Sequence, residues 1–268
     1  MTSYTLTKHH GLGNDFLVAF HPPVAEADLP DLARRLCQRR RGFGADGLLI
    51  AESEPGFAAR MVLYNADGTR PEMSGNGIRC FAQALSMRRG DLDPQRILTD
   101  AGERLVTLAA TADPSIIEAA VDMGSVDEID QPADWNRLGC DPHRPVSHLS
   151  LGNPHSVVAV DQVGQVDLAT LGLAVPHINL EIVEAGPEPY AVTMRVHERG
   201  AGITEACGTG ACATAWAAHH WGLVAPDIKE ITVHMDGGDA RVRLHQPSAG
   251  RVTLIGTAQY VGTITVEL

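Results

Sequence analysis

Two hexapeptides constrain this chain more than anything else in it. Ser74-Gly75-Asn76-Gly77-Ile78-Arg79 and Cys207-Gly208-Thr209-Gly210-Ala211-Cys212 share one pattern: a nucleophile-type side chain, a Gly-x-Gly turn, and a stretch of helical composition. The spacing around them repeats as well. Asn65 precedes Ser74 by nine residues and Glu198 precedes Cys207 by nine, while Gly13-Asn14 and Gly152-Asn153 open the two halves. A unit repeated within 268 residues predicts two domains of one design. The glycines let backbone turn tightly and approach a ligand. The helix that follows offers unpaired N–H groups and a positive dipole end to an anion. Two such ends directed at one ligand hold one carboxylate.

Each half reads as many strands with one prominent helix. Alternating or apolar runs predict strands at Tyr4–Thr7, Phe16–Phe20, Leu48–Ala51, Ala59–Asn65, Arg96–Leu98, Arg104–Ala109 and Ile116–Met123. In the second half they predict strands at Ser156–Val160, Ile178–Val183, Ala191–Glu198, Ile231–Met235, Ala240–Leu244, Val252–Ile255 and Thr263–Leu268. Helices are expected at Asp28–Arg40, Ile78–Arg88, Asp167–Leu173 and Ala211–His220, and loop at Asp127–His148. The class is α+β, because strands and helices do not alternate regularly. Asp113-Pro114 breaks the pattern, giving domains 1–113 and 114–256, with 257–268 free to return to the first.

Several chemistries are excluded by what is missing. A formal charge of −12 and a pI near 5.4 leave no basic stripe for nucleic acid or an anionic membrane. Lys8 and Lys229 are the only lysines and neither lies in a motif, which weighs against Schiff-base and pyridoxal phosphate chemistry. The five cysteines, Cys37, Cys80, Cys140, Cys207 and Cys212, form no framework and fit a reduced, cytoplasmic setting. The first ten residues lack a signal-peptide profile, and no apolar run approaches the ~18 residues a membrane helix needs. Gly42-Phe43-Gly44-Ala45-Asp46-Gly47 spells the dinucleotide pattern, but it follows a helix and enters a strand, so it reads as a structural turn. Neither His9-His10 nor His219-His220 has zinc-ligand spacing with the cysteines, so no metal is expected. Ser74 lacks the glycine two residues before it that a hydrolase elbow needs.

Cys207 is the chemically distinctive residue. A thiol just before a helix N-terminus is expected to ionise more easily, through the dipole and the oriented N–H groups. The matching placement of Ser74 suggests two groups on opposite faces of one carbon, the layout that removes a proton from one side and returns it from the other.

Seven motifs now carry a resemblance. Gly13-Asn14-Asp15-Phe16, Gly44-Ala45-Asp46-Gly47, Asn65-Ala66-Asp67-Gly68, Ser74-Gly75-Asn76-Gly77-x-Arg79-Cys80, Gly152-Asn153-Pro154-His155, Glu198-Arg199-Gly200 and Cys207-Gly208-Thr209-Gly210-Ala211-Cys212 resemble, in order and over nearly the whole length, the diaminopimelate epimerases. The resemblance implies two similar strand-rich, barrel-like domains, each around a central helix, with the active site in the cleft between them and no cofactor. It implies that Cys207 is one catalytic acid/base group and that Ser74 stands where the family has a second cysteine. It assigns Gly75, Asn76, Gly208 and Thr209 to the reacting carboxylate, and Asn14, Asn65, Asn153, Asn179, Glu198 and Arg199 to the rest of an amino-acid substrate. A homodimer is expected on the same ground.

The function expected is a cofactor-independent epimerase interconverting LL- and meso-2,6-diaminopimelate in a lysine and peptidoglycan precursor pathway, impaired by the serine at position 74. Two other readings remain open at this point. One is a racemase, epimerase or dehydratase of the same superfamily acting on a proline derivative or histidine; the other is a non-catalytic amino-acid-binding protein.

Overall fold

The computed structural model describes residues 3–21, 24–245 and 250–267. β1 (Ser3–Gly11) and β2 (Asn14–Phe20) form an antiparallel hairpin whose two-residue loop, Leu12-Gly13, has both residues at positive φ, 54° and 84°. That backbone sense matches strand twist in a tight hairpin. Leu12 adopts it against the steric preference of a side chain, and the turn delivers Asn14 as the first residue of β2. α1 (Leu29–Cys37) lays Leu29, Leu32, Ala33 and Leu36 against a core that includes Leu17, Leu48, Ile50, Val62 and Tyr64. β3 (Gly47–Glu52) runs parallel to β2 and antiparallel to β4 (Ala59–Asn65). α2 (Gly75–Arg89) follows, then β5 (Gln95–Thr99) parallel to β4, with β6 (Gly102–Ala110) and β7 (Ile116–Ser125) continuing antiparallel.

The same pairing scheme then recurs. After the short β8 (Asp127–Glu128) come β9 (Val146–Ser150) and the antiparallel β10 (Pro154–Ala159). α3 (Leu168–Ala174) leads to β11 (Asn179–Ala185), parallel to β10 and antiparallel to β12 (Ala191–Glu198). β13 (Gly202–Thr204) folds back on β12. α4 (Gly208–His220) precedes β14 (Glu230–Met235), which is parallel to β12. β15 (Gly238–His245) and β16 (Arg251–Glu267) complete the antiparallel run. The chain thus forms two compact units, Met1–Val121 with Gly256–Leu268, and Asp122–Ile255. In the first, the later part of β16 pairs with β1 and also hydrogen-bonds to β7, so β1 to β7 and β16 close around α2.

Each central helix is buried for a different reason. α4 is apolar all round; Gly208 to Ala218 are buried, and its alanines let β9, β10, β11, β12, β14 and β15 pack close on every side. α2 instead carries buried polar side chains whose partners come from β1 and from the turn before β7. Gln83 donates to the Ser115 carbonyl at 2.8 Å and accepts from His9 at 2.9 Å.

Three readings change in detail. Both central helices begin directly after Ser74 and Cys207, three residues earlier than expected, with the glycines as their first turn. The stretch 127–148 is not all loop, since it holds β8 and the start of β9. The strands expected at Val252–Ile255 and from Thr263 are one continuous β16; Leu268 lies outside the described residues. Gly256 and Gly262 do not interrupt it. A Cβ on Gly256 would stand 3.2 Å from the Arg79 guanidinium carbon, so that glycine makes room for packing. The turn Thr111–Ser115 joins β6 to β7, and the two units divide within β7.

Candidate active site

In the first unit Ser74 is the N-cap of α2, its hydroxyl oxygen accepting from Gly77 N–H at 3.0 Å. A Cβ on Gly77 would lie 3.2 Å from that oxygen, so the second glycine of the motif leaves space for the cap side chain to fold over the helix end. This corrects the tight-turn reading, because Gly75 and Gly77 are helical and lack positive φ. Asn76 donates to Asn14 Oδ1 at 3.2 Å and accepts from Arg79 at 2.8 Å, and Asn14 donates to Asp46 Oδ2 at 2.8 Å. Arg79 is fully buried and also donates to the carbonyls of Gly75 and Thr257.

Asp46 gives the Gly44–Gly47 motif a purpose. Its carboxylate takes both the Asn14 amide and the Asp15 N–H, while Arg39 bridges it to Asp15 and Lys8 pairs with Asp15 at 2.9 Å. The arginine and lysine hydrogen bonds outweigh burial and hold the Asp15 carboxyl below its ordinary range. The segment is a clamp on the Asn14 loop, a structural turn as its context indicated. Asn65 ends β4 and donates to Thr69 Oγ1 at 3.0 Å across its own turn.

In the second unit Cys207 caps α4 in the same way, its sulphur accepting from Gly210 N–H at 3.3 Å with Thr209 Oγ1 at 3.5 Å. A Cβ on Gly210 would meet Glu181 Oε1 at 2.7 Å and the sulphur at 3.2 Å. Glu198, at the end of β12, is within hydrogen-bonding reach of the thiol and accepts from Thr204 at 2.5 Å. Asn153 donates to Thr209 Oγ1 at 3.3 Å and accepts from His155 Nε2 at 3.1 Å; His155 Nδ1 meets Glu181 at 2.6 Å. Asn179 donates to the Pro154 carbonyl and accepts from Arg199 N–H at 2.9 Å, which fixes the backbone from which the exposed Arg199 projects.

The electrostatics correct one expectation. The helix end does favour the Cys207 thiolate, through Thr209 and Gly210, but burial and the charges of Glu198 and Glu181 outweigh it and hold the thiol proton well above its ordinary range. Burial likewise raises Glu198. Burial and carboxylate charge thus both favour the protonated Cys207 thiol, and offsetting that charge favours the thiolate.

The structure gathers Asn14, Gly75 and Asn76 about Ser74 in one unit, and Asn153, Glu198, Gly208 and Thr209 about Cys207 in the other. Glu181 was missed as a site residue, and Asp46, His155 and Arg79 were seen only as motif letters. A glutamate inside the apolar run Ile178–Val183 was the available signal, since a buried carboxylate needs a partner.

A strand-rich unit thus occurs twice, each with a central helix capped by a hydroxyl or thiol side chain. A family model described as diaminopimelate epimerase matches residues 6–129 and 148–261. The diaminopimelate epimerase of Desulfitobacterium hafniense is 38% identical over 277 residues, covering 96% of this chain and 95% of that one. Among solved structures, a phenazine biosynthesis protein of the PhzF family from Bacillus anthracis aligns over 100% of both chains with a TM-score of 0.78 at 14% identity. A hydroxyproline epimerase from Agrobacterium vitis, with bound trans-4-hydroxy-L-proline, aligns with a TM-score of 0.70 at 16% identity, over 99% of this chain and 91% of that one. The chain belongs to the diaminopimelate epimerase family. It is an isomerase, an amino-acid epimerase.

Proposed function

We propose that this enzyme interconverts LL- and meso-2,6-diaminopimelate by α-proton transfer, with Cys207 and Ser74 as the two acid/base groups and no cofactor. What supports the reading is the head of α4, where the Cys207 sulphur meets the Gly210 N–H, the Thr209 hydroxyl and the Glu198 carboxyl. The N–H groups at the heads of α2 and α4, from Gly75, Asn76, Gly208 and Thr209, stabilise the reacting carboxylate as its neighbouring carbon takes on carbanion character. Glu198 receives the substrate ammonium. That positive charge offsets the carboxylates that hold the Cys207 proton, so binding itself moves the thiol toward its reactive form. Arg199, with Asn14, Asn65, Asn153 and Asn179, reads the distal amino-acid end, a guanidinium being suited to a carboxylate. Ser74 slows proton delivery on its own face. The same proposal makes the enzyme a cytoplasmic homodimer acting in lysine biosynthesis, with no partner beyond its small-molecule substrate.

A second reading is favoured by the hydroxyl at position 74: turnover of a proline derivative or histidine. Ligand selectivity separates the two. Saturating diaminopimelate should raise the melting temperature; if it gives no shift while hydroxyproline or histidine does, the substrate assignment is wrong. Light scattering that returns a monomer mass removes the dimer.

A further inference from the structure

We infer that Glu181 and His155 form a positioning pair that acts through Asn153 to turn the Thr209 hydroxyl toward the Cys207 sulphur as a donor. Both side chains are fully buried, on β11 and β10, and the chain of contacts is unbroken. It runs from Glu181 Oε1 to His155 Nδ1 at 2.6 Å, His155 Nε2 to Asn153 Oδ1 at 3.1 Å, Asn153 Nδ2 to Thr209 Oγ1 at 3.3 Å, and Thr209 Oγ1 to Cys207 Sγ at 3.5 Å.

Hydrogen counting fixes its direction. The Asn153 carbonyl oxygen only accepts, so His155 Nε2 carries a hydrogen. The proton between Nδ1 and Glu181 then sits on either partner without changing that. Asn153 spends its amide on Thr209, whose oxygen accepts it, and the single Thr209 hydrogen is left for the sulphur. Were the pair to lose its shared proton, Nε2 would become an acceptor and the Asn153 amide would turn over. Thr209 would then donate to Asn153 and could only accept from an S–H. The buried pair therefore selects the thiolate-stabilising arrangement from four links away. Glu181 Oε2, buried with no partner among the described residues, fits a carboxyl whose other oxygen is tied to this proton.

Three other features face the sulphur: the Glu198 carboxyl from β12, the Glu181 charge itself, and the Gly210 N–H of α4, whose first turn has no acidic residue. A direct field from Glu181 disfavours the thiolate, whereas the relay favours it, so the two effects are separable.

The inference rests on Cys207 being an acid/base group, and its test needs no substrate. Alkylation of Cys207 by iodoacetamide is followed against pH by mass spectrometry of the Cys207 peptide. Thr209→Val should slow alkylation near pH 7.5 about tenfold, equivalent to a shift of about one unit, while Thr209→Ser should leave it near the parent rate. His155→Leu with Glu181→Leu should slow it in the parent, where the relay is lost, but not in Thr209→Val, where only the opposing field of Glu181 is left to remove. Equal effects of pair removal in both backgrounds mean that the pair acts through its field and overturn the relay. If that variant does not fold, Asn153→Ala in the same two backgrounds carries the test: an effect independent of Thr209 overturns the relay, and an effect only in the parent supports it. An epimerase assay on these variants should show the acid limb of the kcat profile moving to higher pH with Thr209→Val and not with Thr209→Ser. A wrong substrate would silence that assay but leave the alkylation result standing.

Discussion

Cys207 and Cys80 occupy similarly buried positions, yet the groups around their sulphurs differ. Burial pushes the Cys80 thiol up to about 12, and the Arg79 charge and a backbone N–H oppose it only in part. Cys207 is held up by burial and two carboxylates, while its cap contacts to Gly210 and Thr209 are ready to stabilise the thiolate once that charge is offset. Gly210 underlies this arrangement, because a methyl group there would enter the space shared by Glu181 and the sulphur. Helix propensity alone would make Gly210→Ala stabilising by about 1 kcal/mol. The expected outcome is a folded protein with kcat lowered by roughly 10²-fold, the scale of loss for a misplaced reacting group. Steady-state kinetics beside a thermal melt checks it; unchanged kcat would show that the Glu181 and Cys207 positions are not coupled through that space.

His9 on β1 and Gln83 on α2 show how a strand and the helix beside it share a buried polar contact. His9 is fully buried, accepted by Gln83 and held by Thr7 at 2.9 Å, and burial drops its pKa from 6.5 to about 4. An unfolded chain takes up this proton below about 6.5, whereas the folded chain resists it until about 4. Stability from this group is therefore complete above pH 6.5 and declines as pH falls through that window, by up to about 3 kcal/mol. Urea unfolding between pH 7 and 4 should show the decline, and His9→Gln should flatten it; an identical slope in the variant would place the acid sensitivity elsewhere. The α4 helix and most strands were legible because burial on all sides leaves a plain apolar pattern. The clamp of Asp46 on Asn14 was not, since local composition marks a turn without revealing which distant side chain it holds. The continuity of β16 was hidden likewise, because Gly256 is required by Arg79, a residue 177 positions earlier.

At the scale of the molecule, the chain's last segment completes its first unit: residues 259–267 of β16 pair with Ser3–His10 of β1. Deleting residues 256–268 should leave β1 with an open edge, and the expected result is aggregation or loss of a cooperative unfolding transition. A truncated protein that melts like the parent would show that the strand is dispensable. The doubled topology also frames the chemical asymmetry, a thiol capping one central helix and a hydroxyl capping the other. A serine hydroxyl is a far weaker acid than a thiol; a deficit of about 5 units corresponds to roughly 7 kcal/mol, more than one donated hydrogen bond returns. Exchange of the substrate α-proton for deuterium, followed separately for each stereoisomer, measures the consequence. The isomer presenting its proton to Cys207 should exchange without inverting, the other should bind and scarcely react, and Ser74→Cys should raise epimerisation by orders of magnitude. Equal turnover of both isomers by the parent protein, unchanged in Ser74→Cys, would contradict the two-base account with a weakened serine face.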